Sequence, residues 1–232
     1  MSRGIEDHFW IPERLWEGQT AILLGGGDSL REFDLERLRG INAKVMAINA
    51  LELRAPWSAA WYFTDNNIFE WWRPRIEAFE GLVITASRIA KRELPEKIRR
   101  VQLEPDNKPV RFMPPGCPTI THGRSSGHLA ISVSVALGAA RVLLLGFDMR
   151  VVDGRSNSHD EYRKRRAIGY GDTDPAVYTD EFLPAFAGWQ RAAEQAGVAI
   201  RNCTPGSMLL EFPMSTIEVE LARLGAAPSQ AA

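Results

Sequence analysis

The chain has 232 residues, 45% hydrophobic and 25% charged, a length and balance that suit one large globular domain or one domain with a long lid. Lysine and arginine number 28 against 29 aspartate and glutamate, for a formal net charge of -1, so bulk electrostatics gives no support for a nucleic-acid or membrane-surface partner. No run of 18 apolar residues occurs, which speaks against a membrane-spanning helix.

Residues 1–18 read as an N-terminal arm without the apolar core of a signal peptide, with Trp10 and Trp16 packing it onto the body. Residues 19–224 read as one domain. The apolar run 20–25 is expected to be a strand that opens into Gly25-Gly26-Gly27. A helix capped by Ser29 follows, with Leu30, Phe33 and Leu38 on one face and Gly40 at its stop. Strands are expected at 44–49 and 59–64, the second leading through Asp65, Asn66 and Asn67 into a helix with Phe69, Trp72, Ile76 and Phe79. A fourth strand covers 82–85. Residues 88–112 are expected to hold a short helix and one or two strands around Val101 and Val110, and 113–121 a loop with three prolines.

A helix from 126 to 138, capped by Ser126, then feeds a strand through Val142, Leu143, Leu144 and Leu145 that ends at Gly146 and Asp148. Residues 149–178 are polar and lack periodicity, as lids and disordered segments do. Residues 180–195 read as a helix with Phe182, Phe186, Trp189 and Ala193 on its apolar face and Gly197 at its stop. A last strand at 198–200, a terminal helix at 215–224 and a disordered tail at 225–232 complete the chain.

Strands alternating with helices predict an α/β, Rossmann-like, doubly wound and mostly parallel sheet with helices on both faces. Ligands of such sheets bind outside the carboxyl ends of the strands. The polar residues that fall there are Asp28, Ser29, Asn49, Asp65, Asn66, Asp148 and Asn202. Ser125, Ser126 and Gly127 open the central helix, with His122 and Arg124 just ahead, the makings of an anion site.

The glycine turn is not the dinucleotide fingerprint. Gly25-x-Gly27 is present, but Leu30 holds the third glycine position and Asn49 replaces the acidic residue at the end of the second strand, so an NAD enzyme is disfavoured. No Gly-Lys-Ser/Thr follows a glycine loop, so the chain is not a P-loop NTPase. The turn also reads as a tight strand-to-helix connection with no ligand. Asp65 and Asp148 are candidates to hold Mg²⁺ or orient a ribose or base, or simply to cap helices. His159, beside Asp160 and Glu161 in the polar loop, is a candidate general base or a solvated histidine. His128 either touches a phosphate or base or packs in place. Tyr162, Tyr170 and Tyr178 share the loop with the basic run 163–166, which either meets a departing phosphate or is a solvated face. Cys117 and Cys203 read as reduced cytosolic thiols with no adjacent base, and serine or cysteine nucleophilic catalysis has little support.

The motif Gly25-Gly-Gly-Asp-Ser-Leu30 resembles the Gly-x-Gly-Pro-Ser-Leu turn of a Rossmann-like superfamily. That group includes bacterial sialyltransferases, 6-hydroxymethylpterin pyrophosphokinase-like proteins and many phage and bacterial relatives. Ser125-Ser-Gly-His-Leu-Ala130 with Leu144-Leu-Gly-Phe-Asp-Met149 is similar to its Ser-Gly-x-x-Ala and Gly-x-Asp segments. Asn202-x-Thr-Pro-Gly-Ser207 with Phe212-Pro213 resembles the closing motif of the phage-borne members. The likeness runs from about residue 20 to 213. It implies a nucleotide or nucleotide-activated donor, of CMP type or ATP, held between Gly25–Ser29 and Ser125–Gly127. Asn49 would contact the nucleotide, Asp148 would match the strand-end aspartate, and His159 lies in the region of the sialyltransferase base. Asp28 departs from the usual proline, and His128 stands where relatives have Tyr or Val.

The leading expectation is a glycosyltransferase-like transferase with a small-molecule or glycan acceptor. The alternatives are a Mg²⁺-dependent pyrophosphokinase acting on a small alcohol such as a pterin, and a non-catalytic nucleotide-binding phage accessory protein.

Overall fold

The computed structural model describes residues 9–87, 94–168 and 174–225. The strands in chain order are β1 (Thr20–Leu24), β2 (Lys44–Ile48), β3 (Ala60–Phe63), β4 (Leu82–Thr85), β5 (Ile98–Arg100), β6 (Gln102–Leu103), β7 (Thr119–Ile120), β8 (Arg141–Leu145) and β9 (Ala199–Asn202). Among the described residues, seven of them form one parallel sheet in the order β5-β4-β3-β2-β1-β8-β9, and β6 pairs with β7. The chain winds outward from β1 to β5, then crosses back to place β8 on the other side of β1. This is the doubly wound, Rossmann-like α/β fold, and its winding reverses between β1 and β8.

Both faces of the sheet are covered, which is why its strands are continuous apolar runs. Helix α1 (Asn66–Ala78) packs Ile68, Phe69, Trp72 and Ile76 against Trp61 and Phe63. Helix α2 (Ser126–Ala136) is buried on every side from His128 onward and packs on β1, β2, β3 and β8. On β1, Ala21 and Leu23 face the α2 side, whereas Ile22 and Leu24 face Leu30, Leu35, Leu38 and Ile217. Each such fully buried aliphatic side chain stabilises the fold by about 1.5–3 kcal/mol. Trp16 is buried and its N–H donates to the Leu137 carbonyl (2.8 Å), while the Trp10 N–H donates to Arg100 (2.7 Å), so both tryptophans fasten the arm. Residues 1–8 and 226–232 lie outside the described residues. No helix among the described residues is long and apolar enough to cross a membrane.

Several local expectations are corrected. The helix after the glycine turn is instead two short 3-10 turns, Asp28–Leu30 and Leu35–Leu38. Ser29 does not cap, because its hydroxyl and N–H go to Asp148. Arg54 draws off the carbonyls of Leu30 (2.8 Å) and Phe33 (3.2 Å) that a continuing helix would use. The cap of α2 is Ser125, not Ser126: the Ser125 side chain accepts from the His128 N–H. The helix expected over 180–195 is instead two segments, a run over 175–185 with a π turn at Tyr178–Phe182 and, after Gly188 at φ +83°, Trp189–Gln195. Its apolar face is as expected, since Phe186, Trp189 and Ala193 are buried. No strand forms at Val110, and the short helix expected within 88–112 falls partly on 88–93, outside the described residues.

The described part of 149–178 is docked on the body. Ser158 N–H donates to the Gly26 carbonyl (2.8 Å), Arg31 Nη2 donates to the Asn157 carbonyl (2.9 Å), and a 3-10 turn spans Arg163–Ile168. Tyr170 lies outside the described residues.

Candidate active site at the carboxyl ends of the strands

A cavity of about 470 Å³ opens where the winding reverses, bounded by the ends of β1, β2, β3 and β8 and the start of α2. Gly25, Gly27, Asn49, Asp65, Ser125, Ser126, Gly127, Asp148 and His159 all line it, so nine residues scattered over the sequence meet in one place. Thr64, Arg150 and Asn157 line it too and were not singled out from sequence. Thr64 follows the last residue of β3, so the rule that selected Asp65 would also have found it.

One wall is a small polar network. The Ser126 hydroxyl hydrogen-bonds Thr64 Oγ1 and lies 3.3 Å from Asn49 Nδ2. Asn49 stands at φ +53°, a left-handed conformation that asparagine tolerates, and its carbonyl accepts from Trp61 Nε1 (2.8 Å). Its Oδ1 is buried without a partner. The first-turn N–H groups of Ser126 and Gly127 have no carbonyl one turn earlier to bond, so they offer donors and the positive end of the helix dipole to the cavity.

The glycine turn has a different job from the one its letters suggest. A Cβ on Gly25 would lie 2.5 Å from the Gly146 carbonyl oxygen, and one on Gly27 would overlap the Asp148 carboxylate. These glycines therefore admit the close approach of the β8 loop. Asp148 is 3% exposed. Its Oδ1 accepts from the Ser29 N–H (2.9 Å) and its Oδ2 from the Ser29 hydroxyl (2.7 Å). Burial raises its pKa above the ordinary carboxylate range, and the Ser29 bonds partly offset this.

Asp65 precedes α1 without capping it. Its side chain keeps solvent contact, yet the protein around it displaces enough water to raise its pKa by desolvation. His159 packs edge-on to Tyr162 (ring centroids 4.7 Å), with Nδ1 buried and unpartnered. Desolvation pushes its pKa down to about 4, opposed in part by Glu161, so the ring is neutral at neutral pH. It is not the solvated loop histidine of the alternative reading. Three side chains of the adjacent basic run are engaged elsewhere: Arg163 donates to the Gly154 carbonyl (2.5 Å), Lys164 pairs with Glu161, and Arg165 stacks on Trp71 and Trp72.

Five expected residues do not line the cavity. The Asp28 carboxylate is held by Arg31 (2.8 Å), Ser29 is turned to Asp148, and Asn66 Oδ1 accepts from the Ser87 hydroxyl. His128 is fully buried, stacked on Phe186 at 3.5 Å, with Nδ1 2.8 Å from Ser125 Oγ. Desolvation drives its pKa down to about 3, and the nearby Ala185 carbonyl opposes this only in part. It is a packing residue that steadies the α2 cap. Asn202 is likewise internal, donating to Ser207 Oγ and the Leu209 carbonyl.

Gly123-Arg-Ser125-Ser-Gly127 has the letters of the hydrolase nucleophile turn, with a histidine 2.8 Å from Ser125 Oγ. The backbone does not match: Ser125 is ordinarily extended at φ −138°, ψ 163°, where that turn is strained. An imidazolium at His128 would also be buried without a carboxylate partner, so serine nucleophilic catalysis remains poorly supported.

Among the described residues no group of three or more His, Cys, Asp or Glu side chains converges to hold a metal ion. Mg²⁺ is commonly held by one or two carboxylates with substrate phosphates, and Asp65 has the freer carboxylate of the two here. No family model, curated protein or solved structure matches the chain.

Proposed function

We propose that the chain is a transferase acting on a nucleotide-activated donor, with chemistry like that of a glycosyltransferase. The observation that carries this reading is the convergence, at the winding reversal of a parallel sheet, of the α2 N–H groups, the Ser126–Asn49 pair, Asp65 and a neutral imidazole around one cavity. Donors aimed at a leaving phosphate stabilise the charge that develops as the bond to it breaks. Asn49 and Asp65 are suited to the ribose or base. The acceptor hydroxyl needs a base, and His159 is the imidazole inside the cavity. The motif resemblance supports the same donor class.

A second reading is pyrophosphoryl transfer from ATP to a small alcohol, favoured by the presence of Asp65 and Asp148 in one cavity. Asp148 is already engaged by Ser29, so Asp65 would be the principal Mg²⁺ ligand. A thermal-shift screen with CMP, CDP, UDP, ADP and ATP, with and without Mg²⁺, separates these. A ligand at about 100 times its Kd stabilises the fold by roughly 2.7 kcal/mol. Stabilisation by CMP without metal is the expected result. A response confined to ATP or ADP with Mg²⁺ would favour pyrophosphoryl transfer. Silence from all five would remove both readings and leave a binding or assembly role without nucleotide turnover.

A further inference from the structure

A groove of about 180 Å³ lies beside the main cavity, and Gly123 and Arg124 line both, forming a shared wall. Glu104 and Asp106 line the groove together with Lys108 and Arg124. Polar capacity is left over. Glu104 is buried, yet only one of its carboxylate oxygens is bonded, to Arg111 at 2.8 Å. Asp106 meets Arg124 only at 3.8 Å, longer than a hydrogen bond. Trp189 is fully buried with its Nε1 unpartnered. His122 lines the groove next to the shared wall and makes no hydrogen bond among the described residues. Pro105, Pro109 and Val110 add apolar faces. Unfilled donors and acceptors set between apolar faces match the hydroxyls and C–H faces of a sugar ring.

We propose that this groove is the acceptor half of a two-substrate site: it holds a small neutral carbohydrate with one hydroxyl at the Gly123–Arg124 wall, and His122 takes that hydroxyl's proton. The inference rests on the donor reading of the main cavity. The acceptor oxygen attacks the donor's anomeric carbon and a new C–O bond forms. The C–O bond to the nucleoside phosphate breaks, and its electron pair leaves on the phosphate oxygen. The hydroxyl proton passes to the His122 imidazole. For an acceptor held in the groove, His122 takes the place of His159 as the base, because His159 lines the donor cavity but not the groove.

The test uses the full chain and saturation-transfer NMR with methyl α-glucoside, methyl α-galactoside and methyl α-mannoside, alongside the CMP thermal shift. At least one glycoside should bind, and Asp106→Ala and Lys108→Ala should each weaken it by about tenfold while leaving the CMP shift unchanged. His122→Gln should slow glycoside-stimulated release of CMP from a CMP-sugar by about a hundredfold with glycoside binding retained. CMP binding without any glycoside binding, or glycoside binding indifferent to both rim variants, overturns the groove. Unchanged turnover in His122→Gln overturns the base assignment. Glycoside binding with no response to any nucleotide overturns the acceptor role and the donor reading together, leaving a sugar site.

Discussion

Ser29→Ala isolates one contact across the winding reversal, between the turn after β1 and the loop after β8. It removes the 2.7 Å hydrogen bond to Asp148 Oδ2 and leaves the backbone N–H on Oδ1 at 2.9 Å. Asp148 is 3% exposed, so water cannot readily replace the lost donor. A hydrogen bond to a buried charged group contributes about 1.5–3 kcal/mol, which for a chain of this size lowers Tm by roughly 3–12 °C. The pH dependence has a definite sign. Burial raises the Asp148 pKa, so the folded chain keeps this proton at pH values where the unfolded chain has released it. The residue's contribution to stability therefore falls as pH rises from the ordinary carboxylate pKa through the raised one. Loss of the Ser29 hydroxyl raises the folded pKa further. The variant's deficit is then largest at neutral pH and shrinks as acid protonates Asp148. Urea unfolding at about pH 7.5 and at about pH 3.8, the ordinary carboxylate value, measures both. A deficit below about 0.5 kcal/mol at neutral pH, or an equal deficit at both pH values, would refute the account of Asp148 as a buried, ionised brace.

Gly25→Ala and Gly26→Ala should differ sharply. The first puts a Cβ 2.5 Å from a backbone carbonyl and should cost about 3 kcal/mol; the second meets the end of the Asn157 side chain at 2.8 Å, which can yield, and should cost under about 1 kcal/mol in denaturant unfolding. His128→Leu should flatten the acid limb of the stability curve. The buried ring holds its pKa near 3, so the wild-type chain loses stability as pH falls below about 6.5, and the variant should lose it less steeply by up to ~1.4 kcal/mol per pH unit; identical slopes would show that His128 does not resist protonation. Ser126→Ala should weaken CMP binding by about tenfold in calorimetry while changing stability by less than about 1 kcal/mol, and an unchanged Kd would remove Ser126 from the donor site.

The sheet was legible because each central strand is an apolar run bounded by turn residues, a pattern that burial on both faces requires. Of the seven polar residues that the strand-end rule picked, Asn49, Asp65 and Asp148 line the cavity, found without knowledge of strand order. It failed where a remote partner decides a local conformation. Nothing near Ser29 reveals that its hydroxyl is bonded to a residue 119 positions away, or that Arg54 will intercept the carbonyls of Leu30 and Phe33. His128 looked like a ligand because it opens a helix near an expected anion site, and only its stacking on Phe186 places it in the core. The polar segment after Asp148 looked loose because it is anchored through its own backbone groups, the Ser158 N–H on the Gly26 carbonyl and the Asn157 carbonyl under Arg31, which leave no trace in residue type.

The Ser29–Asp148 brace also orders events in time. As the chain leaves the ribosome, β1 to β4 can emerge early, but the glycine turn has nothing to close against until Asp148 follows. The loop that carries Asp148 is itself held from further downstream, since Thr204 Oγ1 accepts from the Phe147 N–H and Ser207 Oγ donates to the Phe147 carbonyl. Nascent chains truncated before about residue 207 should therefore lack a finished cavity, and occupancy of the site becomes a late reporter of synthesis rather than a seed for folding.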